Sequence, residues 1–138
     1  MPKLVFFLAS NSSSVDARTN SLSIFEVIEE LQTPGFPTML RRADFVSLWQ
    51  RQSGDENQEY EQRLRIVSPD HREVAALVTR FKMGGRRHRM IGRFIDVPLQ
   101  APGTYQAELC LRIAGTEDWG LPVRMYPMPV RLAQGPPA

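Results

Sequence analysis

The sequence predicts an all-β protein, an antiparallel β-sandwich of seven to eight strands, and three observations carry that expectation. Apolar and polar residues alternate with a period of two in several runs, which sets one face of each run on a core and the other in water. Turn-forming Gly, Pro, Asn, Asp and Ser separate the runs at the short spacings that sandwiches and barrels use. The 138 residues suit one domain, and a chain of that size buries roughly two-thirds of its unfolded surface, enough for one self-sufficient core.

Taken in order, the first run is Leu4 to Ala9. It is shorter than the apolar region of a signal peptide and far too short to span a bilayer, so it reads as a buried strand. Leu22 to Leu31 is ambiguous. Ser23-Ile24-Phe25-Glu26 fits a capping box, and Leu22, Phe25, Ile28 and Leu31 fall at helical spacing. The β-forming Ile24, Phe25, Val27 and Ile28 between two turn segments favour a strand, with a short helix across the sandwich end as the alternative. Met39 to Arg51 carries Phe45, Val46, Leu48 and Trp49 in one apolar run, which assigns Trp49 to the core.

The clearest strand is Glu59 to Ile66, where Tyr60, Leu64 and Ile66 alternate with Glu59, Glu61, Arg63 and Arg65. Ser68-Pro69-Asp70-His71 turns the chain into Val74 to Lys82, and Gly84-Gly85 opens a loop into Met90 to Val97. After Ala101-Pro102-Gly103, Tyr105, Ala107, Leu109, Leu111 and Ile113 alternate with Gln106, Glu108, Cys110 and Arg112, a long strand with one solvated face. A hairpin loop at Ala114 to Asp118 leads into a last strand, Leu121 to Leu132. Its Pro122, Pro127 and Pro129 remove ladder donors, so this strand is expected at a sheet edge or bulged. Residues 1–132 form the expected domain and 133–138 a disordered tail. Two stacked sheets hide this many apolar faces economically, so an immunoglobulin-like or C2-like sandwich is expected, with a partly closed barrel as the alternative.

The order of these features resembles a family of short bacterial proteins known only as a domain of unknown function. The residues that carry the resemblance are the opening strand Leu4 to Ala9, Asn20 to Val27, Gly35-Phe36-Pro37, the strand around Trp49, and Pro102-Gly103-Thr104-Tyr105 leading into a strand. The resemblance implies a small bacterial β-sandwich and transfers no catalytic residue.

The residues themselves point away from catalysis. There is no Gly-x-Ser-x-Gly elbow and no His-Glu-x-x-His motif, and His71 and His88 both fall in expected turns. Cys110, the one cysteine, excludes an internal disulfide and a multi-cysteine zinc site and points to a reducing cytoplasm. It lies on the non-apolar face of its strand, in solvent or packed from outside. Asp55, Glu56 and Glu59, even joined by Glu117-Asp118, offer too few oxygens for calcium and read as solvated turns. No cofactor, no metal and no enzymatic activity are therefore expected.

Two surfaces remain. Net charge is only +2, yet Val74 to Ile95 holds Arg80, Lys82, Arg86, Arg87, Arg89 and Arg93 and no acid. Arg86, Arg87, His88, Arg89 and Arg93 are the candidate polyanion site, for phosphate or a nucleic-acid backbone. The plainer reading of this segment is a hairpin tip kept soluble by its charge. Trp119, with Met125 and Tyr126 on the last strand, is the candidate protein contact. The leading expectation is a non-catalytic protein-binding or assembly module of a bacterial cytoplasmic system, its partner another protein or a second copy and not a membrane. The alternative is nucleic-acid or phosphate binding through residues 84–93.

Overall fold

Period-two patterning becomes nine strands in the computed structural model, which describes residues 1–134 and contains no helix among them. They are β1 (Lys3–Val15), β2 (Leu22–Val27), β3 (Leu31–Thr33), β4 (Thr38–Gln50), β5 (Glu59–Val67), β6 (Glu73–Lys82), β7 (Arg87–Leu99), β8 (Gly103–Ile113) and β9 (Arg124–Leu132). One sheet has the order β2-β1-β4-β7, the other β3-β9-β8-β5-β6. The ambiguous segment is thus a strand, β2, over Leu22–Val27. Beyond it the chain crosses sheets through the buried Ile28 and adds the short β3. That crossing corrects the expectation of a wholly antiparallel fold. β3 reaches β9 from the other sheet instead of through a hairpin, and the two pair in parallel.

The alternation read in β5 and β8 matches their burial. Tyr60, Gln62, Leu64 and Ile66 point inward from β5, and Tyr105, Ala107, Leu109 and Leu111 from β8. Facing them are Phe7 and Ala9 of β1, Phe45 and Trp49 of β4, and Met90 and Phe94 of β7. Aromatic edges hold the middle layer: Phe45 meets Phe94 edge-on with ring centroids 5.6 Å apart. At the head of β8 the Tyr105 hydroxyl donates to the Ala101 carbonyl at 2.9 Å and closes the turn from β7.

At Gly92 of β7 side chains of the opposite sheet crowd the backbone. A Cβ there would lie 2.5 Å from Leu64 Cδ1 and 3.3 Å from Leu77 Cδ2. Leu64 is itself buried, so it yields only by straining the core. Gly92→Ala is expected to destabilise the fold by about 1–3 kcal/mol, read as a lowered urea midpoint. A variant as stable as the parent would show that Leu64 repacks freely.

The first sheet curls. β1 pairs with β4 up to Ser10 and from there with β2 alone. The tip of the β1–β2 hairpin reaches β7, where Arg89 donates to the Asn20 carbonyl (3.2 Å) and side-chain oxygen (2.9 Å). Asp44 and Val46, on the face of β4 opposite Phe45, are accordingly buried.

β9 is not a simple edge strand. β8 lines one side of it, and β3 lines the other over Val130–Leu132. Ala133 still donates to the Thr33 carbonyl at 2.7 Å, so order continues past the expected boundary at 132. The rest of the expected tail, residues 135–138, lies outside the described residues. Pro127 and Pro129 share the parity of Ala133, whose N–H points away from β8. Their missing donors therefore face the stretch of edge that β3 does not cover.

Candidate functional site

The basic segment is not a hairpin tip. β6 and β7 lie at the edges of different sheets, and 83–86 carries the chain from one to the other. Arg86 is exposed in that crossing, while Arg87, His88 and Arg89 already belong to β7. Alternation along β7 then divides them. Arg87, Arg89 and Arg93 project from the outer face, and His88 turns inward to stack on Phe81, with ring centroids 4.7 Å apart and planes 9° from parallel. Burial holds the His88 pKa below its ordinary value, which favours the neutral imidazole. His88 is thus a half-buried packing residue of a strand and not a turn residue.

Arg93 leaves the cationic cluster as well. Its Nε lies 3.0 Å from Asp44 Oδ1, and Asp44 also accepts from Arg42 at 2.8 Å and from the Ser13 hydroxyl at 2.7 Å. By contrast, no described carboxylate comes within 4.0 Å of Arg86, Arg87 or Arg89. The structure keeps these three as uncompensated cations and brings Arg87, His88 and Arg89 together around a groove of about 480 Å³ with Asn20 and Leu48.

A second cleft, of about 360 Å³, opens between the edges of β6 and β7. His88, Met90 and Gly92 line one side, Thr79, Phe81 and Lys82 the other, and Gln62 lies among the lining residues. Gln62 is only 3% exposed. Its Oε1 accepts from the Ser47 hydroxyl and from Trp49 Nε1, both at 2.8 Å. That fixes the amide, and its Nε2, which has no acceptor among the described residues, is not closed off from solvent. The sequence held one signal for it: Gln62 is the polar member of the otherwise apolar inward face of β5.

The aromatic candidates also separate by face. Trp119 is half-buried against the outer face of the second sheet, its ring 3.8 Å from Arg112 Cζ and 4.9 Å from Arg63 Cζ. Arg112 is held in turn by Glu61 (3.2 Å) and the Glu117 carbonyl (3.1 Å). Arg63 Nη2 contacts the sulfur of Cys110 at 3.6 Å, and Cys110 is buried, packed from outside. Met125 projects from this outer face. Tyr126 does not: its hydroxyl donates to the Ile28 carbonyl at 2.5 Å and its ring packs edge-on against Phe7, which closes the β1–β9 side of the core. A strand period of two puts neighbours on opposite faces, so Met125 and Tyr126 cannot share a surface.

In place of Tyr126 the structure adds Leu121 and Val123. The link from β8 to β9 spans 114–123, longer than the expected hairpin loop, and leaves Leu121 89% exposed with Val123 and Met125 close to half exposed. The acidic turn is corrected too. Asp55 is buried, accepting from the Tyr60 hydroxyl at 2.6 Å and the Gln52 N–H at 2.6 Å, so its carboxylate closes the turn against a side-chain and a backbone donor.

A family model described as a family of unknown function, DUF6941, matches residues 5–125. The chain belongs to this family. The DUF6941 match runs from within β1 to Met125 at the start of β9, so it takes in the β6–β7 cleft and the strip from Trp119 to Met125, and leaves Tyr126 outside. No curated protein matches the chain.

Proposed function

We propose that this protein is a non-catalytic binding or assembly module that engages another protein, or a second copy of itself, through Trp119, Leu121, Val123 and Met125. The observation that supports this reading is the exposure of Leu121, Val123 and Met125 on the link into β9, with Leu121 almost fully in water two residues from Trp119. Exposed apolar strips of this kind are costly unless something covers them. Trp119 is also held in place by two stacked guanidinium groups, so little ordering remains to be lost when a partner arrives.

An immunoglobulin-like sandwich suits such a role and fits the strand order. With β1, β4 and β7 as strands A, B and E, the opposite sheet reads G, F, C, C′ through β9, β8, β5 and β6. The Tyr105 hydroxyl bond at the start of β8 corresponds to the tyrosine corner of that architecture. The lone, buried cysteine favours a reducing compartment, and we place the module in the cytoplasm. No helix among the described residues is long and apolar enough to cross a membrane.

The test is a pull-down from the native host with the parent and Trp119→Ala as baits, paired with sedimentation of both. Trp119→Ala is expected to weaken capture or self-association by about 2 kcal/mol or more. Folding stability should fall by no more than about 1 kcal/mol, the worth of an exposed cation–π contact. Equal capture by both baits, with both sedimenting as monomers, would end the proposal for this strip.

A further inference from the structure

We infer that the cleft between β6 and β7 is a second binding site, and that it takes an extended peptide segment bearing carboxylates, added alongside the edge of β6. Three features support it, the first along the stretch of β6 that leads into the cleft at Thr79 and the other two in the cleft itself. β6 pairs with β5 alone, and from Val74 to Thr79 it carries neither charge nor proline, with Leu77 and Val78 exposed. Natural sheets blunt an edge of this length with charges, prolines or bulges, because its unpaired backbone groups recruit another strand.

The second feature is Gln62. Its oxygen is taken up by Ser47 and Trp49, and its Nε2 has no described protein acceptor yet is not sealed from solvent, so the fixed amide presents a donor that a ligand can take in place of water. Both a peptide carbonyl and a carboxylate oxygen accept such a bond. The third is charge. Arg80, Lys82 and Arg89 border the cleft and no acid does. Glu59 compensates Arg80 and Lys82 at 3.4 and 3.8 Å, but no described carboxylate reaches Arg89. Arg80 is also paired with Glu61 at 3.8 Å, so Arg89 is the uncompensated cation; with the Gln62 donor and the apolar residues of the flanking strands, its complement is an acidic strand. A nucleic-acid strand fits less well. It needs open aromatic faces for its bases, and the two rings here, Phe81 and His88, are stacked on each other.

The experiment uses the whole protein and a labelled, end-blocked peptide of alternating valine and glutamate, followed by fluorescence anisotropy at low salt. Binding is expected, and it should weaken as salt rises. Gln62→Glu keeps an oxygen acceptor for Ser47 and Trp49 while removing the donor, and should weaken binding by about tenfold or more. Arg89→Ala should weaken it and flatten the salt dependence; this change is remote from the core and carries the test if Gln62→Glu does not fold. A peptide methylated on alternate backbone nitrogens should fail, as should one with lysine in place of glutamate. No binding of the valine–glutamate peptide would overturn the proposal. So would binding indifferent to both variants, equal binding of the methylated peptide, or tighter binding of a single-stranded oligonucleotide. Trp119→Ala should leave peptide affinity unchanged, so either site can fail without the other.

Discussion

Replacing Trp49 with alanine is expected to cost about 3–5 kcal/mol of folding stability. Against a total of roughly 5–15 kcal/mol for a domain of this kind, that is the largest single loss expected from a side chain here. The reason is twofold. Trp49 is fully buried in β4, so its removal leaves a cavity that a close-packed core fills only in part. Its Nε1–H is also one of the two donors that hold Gln62 Oε1. Trp49→Phe separates the two contributions, because it keeps most of the volume and loses the hydrogen bond; about 1–2 kcal/mol is expected. Urea titration is the measurement, with the midpoint shifted and the slope unchanged. A loss under about 1 kcal/mol for the alanine variant would remove Trp49 from the core. Because Trp49 fixes the Gln62 amide, the phenylalanine variant should also loosen the floor of the β6–β7 cleft.

How much of this was legible beforehand depends on what a period of two can carry. It assigns residues to faces, and so it places Tyr60, Leu64 and Ile66 of β5 and Tyr105, Ala107, Leu109 and Leu111 of β8 inward, though it also counts Ile113, which is exposed. Trp49 is assigned to the core from its continuous apolar run instead. The same count applied to β9 would have set Met125 and Tyr126 on opposite faces, and grouping them as one contact patch neglected it. Periodicity says nothing about which strands are neighbours. Val74 to Lys82 and the basic strand after it look like a hairpin in the sequence, joined by two glycines, yet they belong to different sheets. That change of sheet turns a charged tip into a cleft with two free edges. Nor does local pattern report a buried polar residue's partner. Asp55 looked like a loop acid because Tyr60, the group that accounts for its burial, was read only as a core aromatic. β3 is three residues long, too short for any periodicity, and only its parallel pairing with β9 defines it.

The second large effect is expected at Asp44, for a reason no local pattern shows. Asp44 is a fully buried carboxylate on the outer face of β4 that accepts from Ser13 of β1, Arg42 of its own strand and Arg93 of β7. Burial alone would raise its pKa. The hydrogen bonds from Arg42, Arg93 and Ser13 outweigh burial and hold the carboxyl well below the usual range. Asp44→Ala therefore removes a side chain that ties β1, β4 and β7 together on that face. The side chains of Arg42 and Arg93 are 37% and 49% exposed, so water recovers part of their loss. About 2–3 kcal/mol is the expected cost. Asp55 is held low in the same sense, its burial outweighed by the Tyr60 hydroxyl and the Gln52 N–H. For both acids the folded pKa lies below the unfolded one, so the unfolded chain binds more protons as pH falls. Their contribution is complete above about pH 5 and is lost progressively as acid titrates first the unfolded and then the folded carboxyls. Tyr60 sets the opposite limit. Burial, with Asp55 beside it, pushes its hydroxyl up to about 12, so its contribution holds below the unfolded value near 10 and fades as pH climbs toward 12. Melting temperature measured across this range should fall at both ends in the parent. In Asp44→Ala the curve should start lower at neutral pH and fall less steeply below about pH 4, because the variant has one fewer depressed carboxylate to protonate. An acid limb parallel to that of the parent would show that Asp44 takes no part in the linkage, and that the Arg42 and Arg93 contacts are surface pairs of little consequence.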